Sequence, residues 1–475
     1  MPFKLFNTMS GEIEVLQPLQ TGRVGMYTCG PTVHDQAHIG NLRTYLAEDL
    51  LRRHLEAHGL KVTQVMNITD VDDKIIEKAS AAGSGLDDFT APFMAAFFLD
   101  LERLNIQPAH HYPRATGYIK PMIELVQRLL DSGHAYSSEG SVYFRISSFP
   151  NYGRLTHLDT AGLKAGGSGR IDSDEYEAKE TVRDFALWKA GAKGDLAAWD
   201  SPFGWGRPGW HLECSAMAMD KLGESLDLHC GGVDNKFPHH ENEIAQSEAA
   251  TGKTFVRHWF HPEHLLVASG KMAKSQRNFV TLTTLMERGH DPLAVRFLLL
   301  TGAHYRHKFQ FKEDLLVEAE KDVERLAAFW KRCAQAASEH PLSEGAADPL
   351  IAVAQRAGRQ FEAALDDDLN LPDAIAAAFD LLREGNRLLD KGLAGPEGAG
   401  AALASLRLVD SRLGVIERRA AVEEVLTDME DDLLRRREQA RRDRDYAASD
   451  RLRDELLAIG IQVEDTKDGT RWHRI

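Results

Sequence analysis

Four cysteines, Cys29, Cys214, Cys230 and Cys333, are spread thinly through 475 residues. That is too few and too scattered for a disulfide framework, so buried thiols or a metal site fit better. Cys214 closes the run P-G-W-H-L-E-C, and F-P-H-H-E-N-E-I follows with His239, His240, Glu241 and Glu243. Pro238 suits the first turn of a helix, which sets His239 and Glu243 at i and i+4 on one face. Thiolate, imidazole and carboxylate are zinc ligands, and Cys29, at the end of an expected strand, could add a fourth. Spacing alone does not choose between His239 and His240, nor remove Cys230 and His229. Each cysteine taken singly reads as a small buried residue.

A second chemistry is written in three loops. Val24 to Thr28 is an apolar run bounded by Gly22 and Gly30, as a buried strand would be. After a Gly/Pro turn, Leu42, Leu46, Leu50 and Leu55 recur at near-helical spacing up to Gly59. His38 and Asn41 open that helix, where backbone N–H groups and the dipole favour an anion such as phosphate. In G-K-M-A-K-S-Q-R-N (Gly270 to Asn278), Lys271 and Lys274 make a basic loop able to close on a polyphosphate. In L-D-L-H-C-G-G-V-D-N (Leu226 to Asn235), an apolar run enters a Gly-Gly turn ending near Asp234, a carboxylate placed to hold ribose hydroxyls. The plainer alternatives are a helix start with surface histidines, a solvated basic turn and an ordinary Gly-Gly turn.

Strand, helix and strand (Lys61 to Asp70) in succession imply a parallel sheet with right-handed crossovers. Helices are expected from near Asp72, with Ile75 and Ile76 inward, from Pro92 to Leu104 and from Pro121 to Leu130. The texture changes near His134 to short strands, as in an insertion, and α/β patterning returns from Trp210 to about Thr301. Glu313 to Glu417 reads as helical, broken by the Gly/Ala-rich Gly392 to Ala402. Ala420 to Asp432 reads as an acidic linker. An arginine-rich helix follows, and Ile459 to Trp472 suits a hairpin around Asp468 and Gly469. The fold class is α/β: a Rossmann-type parallel-sheet domain with an inserted connective domain, then a helical bundle and a small mixed α/β domain. The expected boundaries are 1–120 and 204–312 for the two catalytic halves, 121–203 for the insertion, 313–419 for the bundle and 420–475 for the tail.

No run reaches the ~18–20 apolar residues of a membrane helix, and Met1 to Glu12 lacks a basic-then-apolar signal pattern. A soluble cytoplasmic protein without membrane contact is expected. The formal net charge of −15 argues against bulk-charge binding to nucleic acid. Any such contact must be local, and Arg435, Arg436, Arg437, Arg441, Arg442, Arg444, Arg451 and Arg453 crowd one segment. Glu438, Asp443 and Asp450 could make that segment a plain solvated face.

Taken together, these blocks resemble the class I aminoacyl-tRNA synthetases, and within them the cysteinyl-tRNA synthetase family. The two class signatures correspond to His38-Ile39-Gly40-Asn41 and Lys271-Met272-Ala273-Lys274-Ser275. The family's own marks are M-Y-x-C-G-P-T-V from Met26, N-I-T-D-V-D-D-K-I-I from Asn67, D-F-A-L-W-K from Asp184 and G-R-P-G-W-H-L-E-C-S-A-M from Gly206. F-P-H-H-E-N-E-I-A-Q-S from Phe237, D-D-D-L-N-L-P from Asp366 and I-x-V-E-D-x-x-x-G-T-x-W from Ile461 complete them. The resemblance covers essentially the whole chain.

It implies one zinc ion per chain on Cys29, Cys214, His239 and Glu243, and so selects His239. It implies an ATP site of His38, Gly40, Asn41, Gly232, Asp234, Lys271 and Lys274, with magnesium accompanying ATP. His38, Asn41, Lys271 and Lys274 are the implied catalytic residues, and Cys29, Thr69 and Trp210 the implied cysteine contacts. The implied partners are tRNA(Cys), ATP and L-cysteine, and the implied state is a monomer. Cysteine would be activated as an adenylate and passed to tRNA, with zinc selecting the substrate thiolate over serine's hydroxyl. A ~10⁴-fold preference corresponds to ~5.5 kcal/mol and would make editing unnecessary.

Three departures stand out. Asn41 replaces the last histidine of the first signature, Ala273 replaces the middle serine of the second, and Cys230 stands where relatives often have glycine. Two other readings compete: an ATP-dependent cysteine–amino-sugar ligase of mycothiol synthesis, which looks shorter, and a non-catalytic nucleic-acid-binding relative. Family members are also linked to persulfide formation, for which Lys74 to Lys78 is the relevant stretch.

Overall fold

A hairpin of β1 (Lys4–Asn7) and β2 (Glu12–Val15) leads into β3 (Arg23–Thr28). The computed structural model describes residues 2–157, 179–181, 184–267, 270–271, 279–338, 348–421, 428–459, 461–466 and 469–474. Helix α1 (Ile39–Ala57) carries the chain from β3 to β4 (Lys61–Met66), which pairs with β3 in parallel, as expected. The second strand ends at Met66, short of Asp70, because Ile68 and Thr69 leave the ladder to bridge Arg114 and Thr32.

Helix α2 (Asp73–Ala82) starts where Asp72 Oδ1 accepts from the Ile75 amide at 2.6 Å. Ile75 is buried, whereas Ile76 is only partly so. Helix α3 (Leu86–Arg103) begins well before the expected Pro92 and runs through it. Asp87 and Asp88 favour the start electrostatically, and Pro92 lies on the exposed face, where one missing N–H is tolerated. After α4 (Ile119–Asp131), an antiparallel sheet forms from β5 (Ala135–Ser138), β6 (Ser141–Phe144), β7 (Phe185–Ala190) and β8 (Gly206–Pro208). This is the inserted texture; Gly166 to Arg170 lie outside the described residues.

Helix α5 (Trp210–Leu222), β9 (Leu226–Cys230), α6 (Glu241–Thr251) and β10 (Val256–Phe260) restore the α/β pattern. The main sheet has the order β10-β9-β3-β4, all parallel. Strand order reverses between β3 and β9, and in open parallel sheets ligands lie outside the strands' carboxyl ends at such a reversal. A small sheet follows, of β11 (Leu265–Val267), β12 (Gly270–Lys271) and β13 (Phe309–Gln310); α7 (Leu282–Glu287) and α8 (Pro292–Thr301) lie between its last two strands in sequence.

The helical region comprises α9 (Asp314–Ala336), α10 (Pro349–Leu365), α11 (Leu371–Asp390), α12 (Pro396–Leu413) and α13 (Ile416–Ala421). The expected break at 392–402 is shorter, since Pro396 at the helix start lets the Gly/Ala run to Ala402 continue as α12. The tail holds α14 (Asp428–Arg442), α15 (Tyr446–Ala458) and an antiparallel hairpin of β14 (Ile461–Thr466) and β15 (Gly469–Arg474). Asp428 to Asp432, expected as linker, are the first turns of α14. Arg435 and Arg436 pair with Asp431 and Asp432, and Arg437 is buried.

The alternation of β3 divides the interior. Val24 and Met26 join the core beneath α1, which continues into the helical region. Tyr27 and Cys29 face the opposite core, with Cys214, Trp259 and Ile244. Two residues per pleat repeat thus decide which cysteine meets which helix. None of the described helices is long and apolar enough to cross a membrane.

Candidate functional site

Cys29 follows β3 directly, and its amide donates to the Cys230 carbonyl at 3.0 Å, so it is fixed at the reversal point. Cys214 comes from the buried face of α5, and Glu243 from α6. His239 lies in the short turn Lys236–His240 that leads into α6; the regular helix starts at Glu241, not at Pro238. His239 Nε2 still reaches Glu243 Oε1 at 3.1 Å, as the i, i+4 spacing suggested. One donor atom each from Cys29, Cys214, His239 and Glu243 lies within 4.8 Å of the others, and all four residues are buried.

A second set, Cys29, His229, His240 and Glu243, meets the same criterion. The imidazoles form a network: His229 Nε2 lies 2.9 Å from Glu243 Oε2, and His240 Nε2 lies 3.2 Å from Cys29 Sγ. His240 Nδ1 meets His261 Nε2 at 2.8 Å, and His261 Nδ1 meets Thr8 Oγ1 at 2.7 Å. His211 Nδ1 meets His239 Nδ1 at 2.8 Å, and the indole of Trp210 stacks on His239 with ring centroids 4.2 Å apart. Cys230 belongs to the other face of the sheet, beneath α1, and so leaves the candidate ligand set.

Burial pushes the Cys29 thiol well above its usual range, with Cys214 adding to the effect. Burial likewise raises the Glu243 carboxyl and drives His240 and His261 well below the usual imidazole range. Glu243 Oε1 is buried, with His239 Nε2 at 3.1 Å as its polar neighbour. Two thiols, an imidazole and a buried carboxylate oxygen make a donor set that a divalent soft-to-borderline cation satisfies. A bound cation reverses the penalty on ionising the thiols. The residues therefore fit zinc.

Thr69 is buried, and its hydroxyl donates to Glu213 Oε2 at 3.1 Å while accepting from Asn67 Nδ2 at 3.1 Å. Burial holds the Glu213 carboxyl well above its usual range. Asn67 Oδ1 accepts from the Gly30 amide at 2.8 Å, and a Cβ on Gly30 would fall 1.8 Å from the Asn67 carbonyl oxygen. Glycine is obligatory there. At the Gly-Gly turn, a Cβ on Gly231 would fall 2.8 Å from His240 Cε1, whereas one on Gly232 would meet only Thr44 Oγ1 at 3.5 Å.

On the nucleotide side, His38 is the N-cap of α1, Gly40 the second helical residue and Asn41 the third. His38 Nδ1 accepts from the Asn41 amide at 3.1 Å, and Asn41 Oδ1 accepts from the His38 amide at 3.3 Å. This reciprocal cap fixes the neutral tautomer with its proton on Nε2. Asp234 sits in the turn after β9, and His264 Nε2 lies 2.9 Å from its Oδ1. Lys271, in β12, pairs through its backbone with Leu266 of β11; residues 272–278, Lys274 among them, lie outside the described residues.

Sequence reasoning missed Glu213, His261, Thr8 and His264. Glu213 lies inside a quoted motif, but a buried acid cannot be told from a surface one by type. The others reach the site from separate segments, a closeness that no spacing encodes.

Three known families match successive parts of the chain. The description "tRNA synthetases class I (C) catalytic domain" matches residues 15–321, "DALR domain" matches 360–417, and "Cysteinyl-tRNA ligase anticodon binding domain" matches 423–472. The chain is 46% identical to a cysteine–tRNA ligase of Protochlamydia amoebophila, over 99% of this chain and 98% of that one. It is 45% identical to the corresponding ligase of Solibacter usitatus, over 100% of both. Among solved structures, Mycobacterium tuberculosis methionyl-tRNA synthetase in complex with methionyl-adenylate is similar with a TM-score of 0.64. It is 16% identical, over 84% of this chain and 92% of that one, a likeness of fold.

Proposed function

This chain belongs to the cysteine–tRNA ligase family of class I aminoacyl-tRNA synthetases, and from that premise we propose which of its residues carry the reaction. The reaction is the ATP-dependent attachment of cysteine to its tRNA. The relatives match over the full length, tail included, which leaves no support for the amino-sugar ligase reading.

Cys29, Cys214, His239 and Glu243 would hold one zinc ion, whose chemistry when bound is a thiophilic position for the substrate's sulfur. The observation that supports this reading is the convergence of four buried donors from separate segments. Trp210, stacked on His239, walls the amino-acid pocket and excludes water from it. Thr69, held between Asn67 and Glu213 in the segment just beyond β4, is assigned to contact cysteine.

Cysteine's carboxylate oxygen attacks the α-phosphorus of ATP, and the bond to pyrophosphate breaks. No protein nucleophile is required, so catalysis is positioning and charge stabilisation. His38 donates Nε2–H, and the N-terminus of α1 supplies amide donors, to the phosphates. Gly232 and Gly40 admit the nucleotide closely. Asp234, with His264 beside it, orients ribose hydroxyls. Lys271 and Lys274 neutralise charge on the departing pyrophosphate, with magnesium on the ATP. The terminal ribose hydroxyl of tRNA then attacks the adenylate carbonyl carbon, and AMP leaves. The proposal takes the chain to be a cytoplasmic monomer whose bundle (313–419) and tail (420–475) grip tRNA.

Metal analysis of Cys29→Ser tests the zinc assignment: the variant is expected to lose its metal and cysteine-dependent ATP–pyrophosphate exchange, and one zinc per chain in it would refute the assignment. Removing residues 420–475 tests the tail. Aminoacylation is expected to fall at least ~tenfold through lost phosphate contacts while exchange is spared; equal losses would make the tail structural.

A further inference from the structure

Metal-ligand chemistry also gathers at the far end of α1. His54 and His58, one turn apart, lie in the last turn of α1 and at its C-cap, and Asp366 is the C-cap of α10. His54 Nε2 lies 3.1 Å and His58 Nε2 2.6 Å from the same oxygen, Asp366 Oδ1. One donor atom from each residue lies within 4.8 Å of the other two. The His54 and Asp366 side chains are buried, and that of His58 is 32% exposed, so the cluster has a buried floor and one open side. His54 Nδ1 is buried with no hydrogen-bond partner, and its ring packs edge-on against Phe3 at 4.9 Å.

We propose that His54, His58 and Asp366 form a second metal site, for a divalent transition ion such as Zn2+, Ni2+ or Co2+, that clamps the end of α1 to the helical bundle. Two imidazoles and a carboxylate select such ions over Mg2+ or Ca2+, which take oxygen ligands. Imidazole pairs at i and i+4 on a helix present two nitrogens to one ion. Ligands around a tetrahedral ion with ~2.0–2.1 Å bonds sit ~3.4 Å apart, so the present contacts need to open by less than ~1 Å. Three protein ligands leave the fourth position on the open side for water.

Arg412 is the opposing charge at this joint, and Glu362 lies 3.5 Å from its Nη2. The cluster is distinct from the reaction centre. It shares no residue with that centre and lies on the α1 side of the sheet, whereas Cys29 and Cys214 belong to the opposite core. Its ligands are 308 and 312 residues apart in sequence, so a bound ion cross-links the first helix of the sheet domain to the bundle. Helix α1 then carries the nucleotide-facing cap at one end and a metal clamp at the other.

The test uses the full chain with its resident metal quantified by mass spectrometry, followed by equilibrium dialysis against Co2+ alone. The expected result is one further equivalent of Co2+, with visible d–d absorption and no added thiolate-to-metal charge transfer, and a higher melting temperature. In His58→Ala the further equivalent weakens by more than the ~10–100-fold typical of outer-shell changes, and the melting-temperature rise disappears. Cysteine-dependent exchange of that variant stays at the parental level, which shows that it is folded. Should His58→Ala fail to fold, Asp366→Asn carries the same expectation. No further equivalent in the parent at about 100 µM free Co2+, or its retention in either folded variant, overturns the proposal.

Discussion

Cys29, Cys214, His239 and Glu243 are each 8% exposed or less, whereas the reciprocal cap of His38 and Asn41 stands at the open N-terminus of α1, with Asn41 exposed. The first group is held by strand ends, helix faces and a network of imidazoles reaching Thr8. The second is held by two backbone-to-side-chain bonds within one turn. Discrimination between sulfur and oxygen needs donors whose positions do not adapt, and burial fixes them. Phosphates arrive hydrated and leave as pyrophosphate, so their donors sit where solvent and ligand exchange.

That contrast breaks first, and by the largest margin, at His239. His239→Ala is expected to lose the metal and to lower kcat/KM for cysteine in ATP–pyrophosphate exchange by at least ~10³-fold, ~4 kcal/mol. His240→Ala, which loses its bond to His261 but not a proposed ligand, is expected to retain one zinc per chain by mass spectrometry. The reverse pattern would move the ion to the second donor set. Lys274→Ala is next. Loss of one charge-stabilising donor costs ~10²–10³-fold in kcat, and here KM for cysteine should stay within ~threefold, because the loop serves the phosphates. A matching rise in KM for cysteine would erase the division between the two sides. Asn41→Ala is the smallest. Asn41 positions His38 through the reciprocal cap, and losing ~1 kcal/mol of that positioning in the transition state slows exchange about fivefold, with zinc content unchanged. Asn41→His, which restores the family signature, should stay within ~twofold of the parent.

The sheet domain was largely legible in the sequence because its signals are local. The apolar run before Cys29, the leucine period after His38 and the Gly59 stop set β3 and α1 nearly to the residue. The four candidate zinc donors were legible only as types; the resemblance chose among them. The structure adds a physical reason to drop Cys230: it is adjacent in pleat order to His229 and therefore faces the other core. What could not be read is pairing between segments. Glu213 behind Thr69, His264 beside Asp234, and Asp366 against His54 and His58 depend on packing between distant elements. The helix through Pro92 and the continuation of α12 through a Gly/Ala run depend on where the breaker falls: Pro92 lies on an exposed face and Pro396 in a first turn.

The central claim is that a buried metal centre reads cysteine's sulfur while a separate, exposed turn handles ATP. It is tested most directly by ATP–pyrophosphate exchange with cysteine and with serine, before and after the resident metal is stripped and verified absent by mass spectrometry. The account predicts that stripping abolishes cysteine-dependent exchange while ATP binding persists, that one equivalent of Zn2+ restores it, and that serine stays ~10⁴-fold poorer in the zinc form. Full cysteine-dependent exchange in metal-free protein, with serine still rejected, would contradict it.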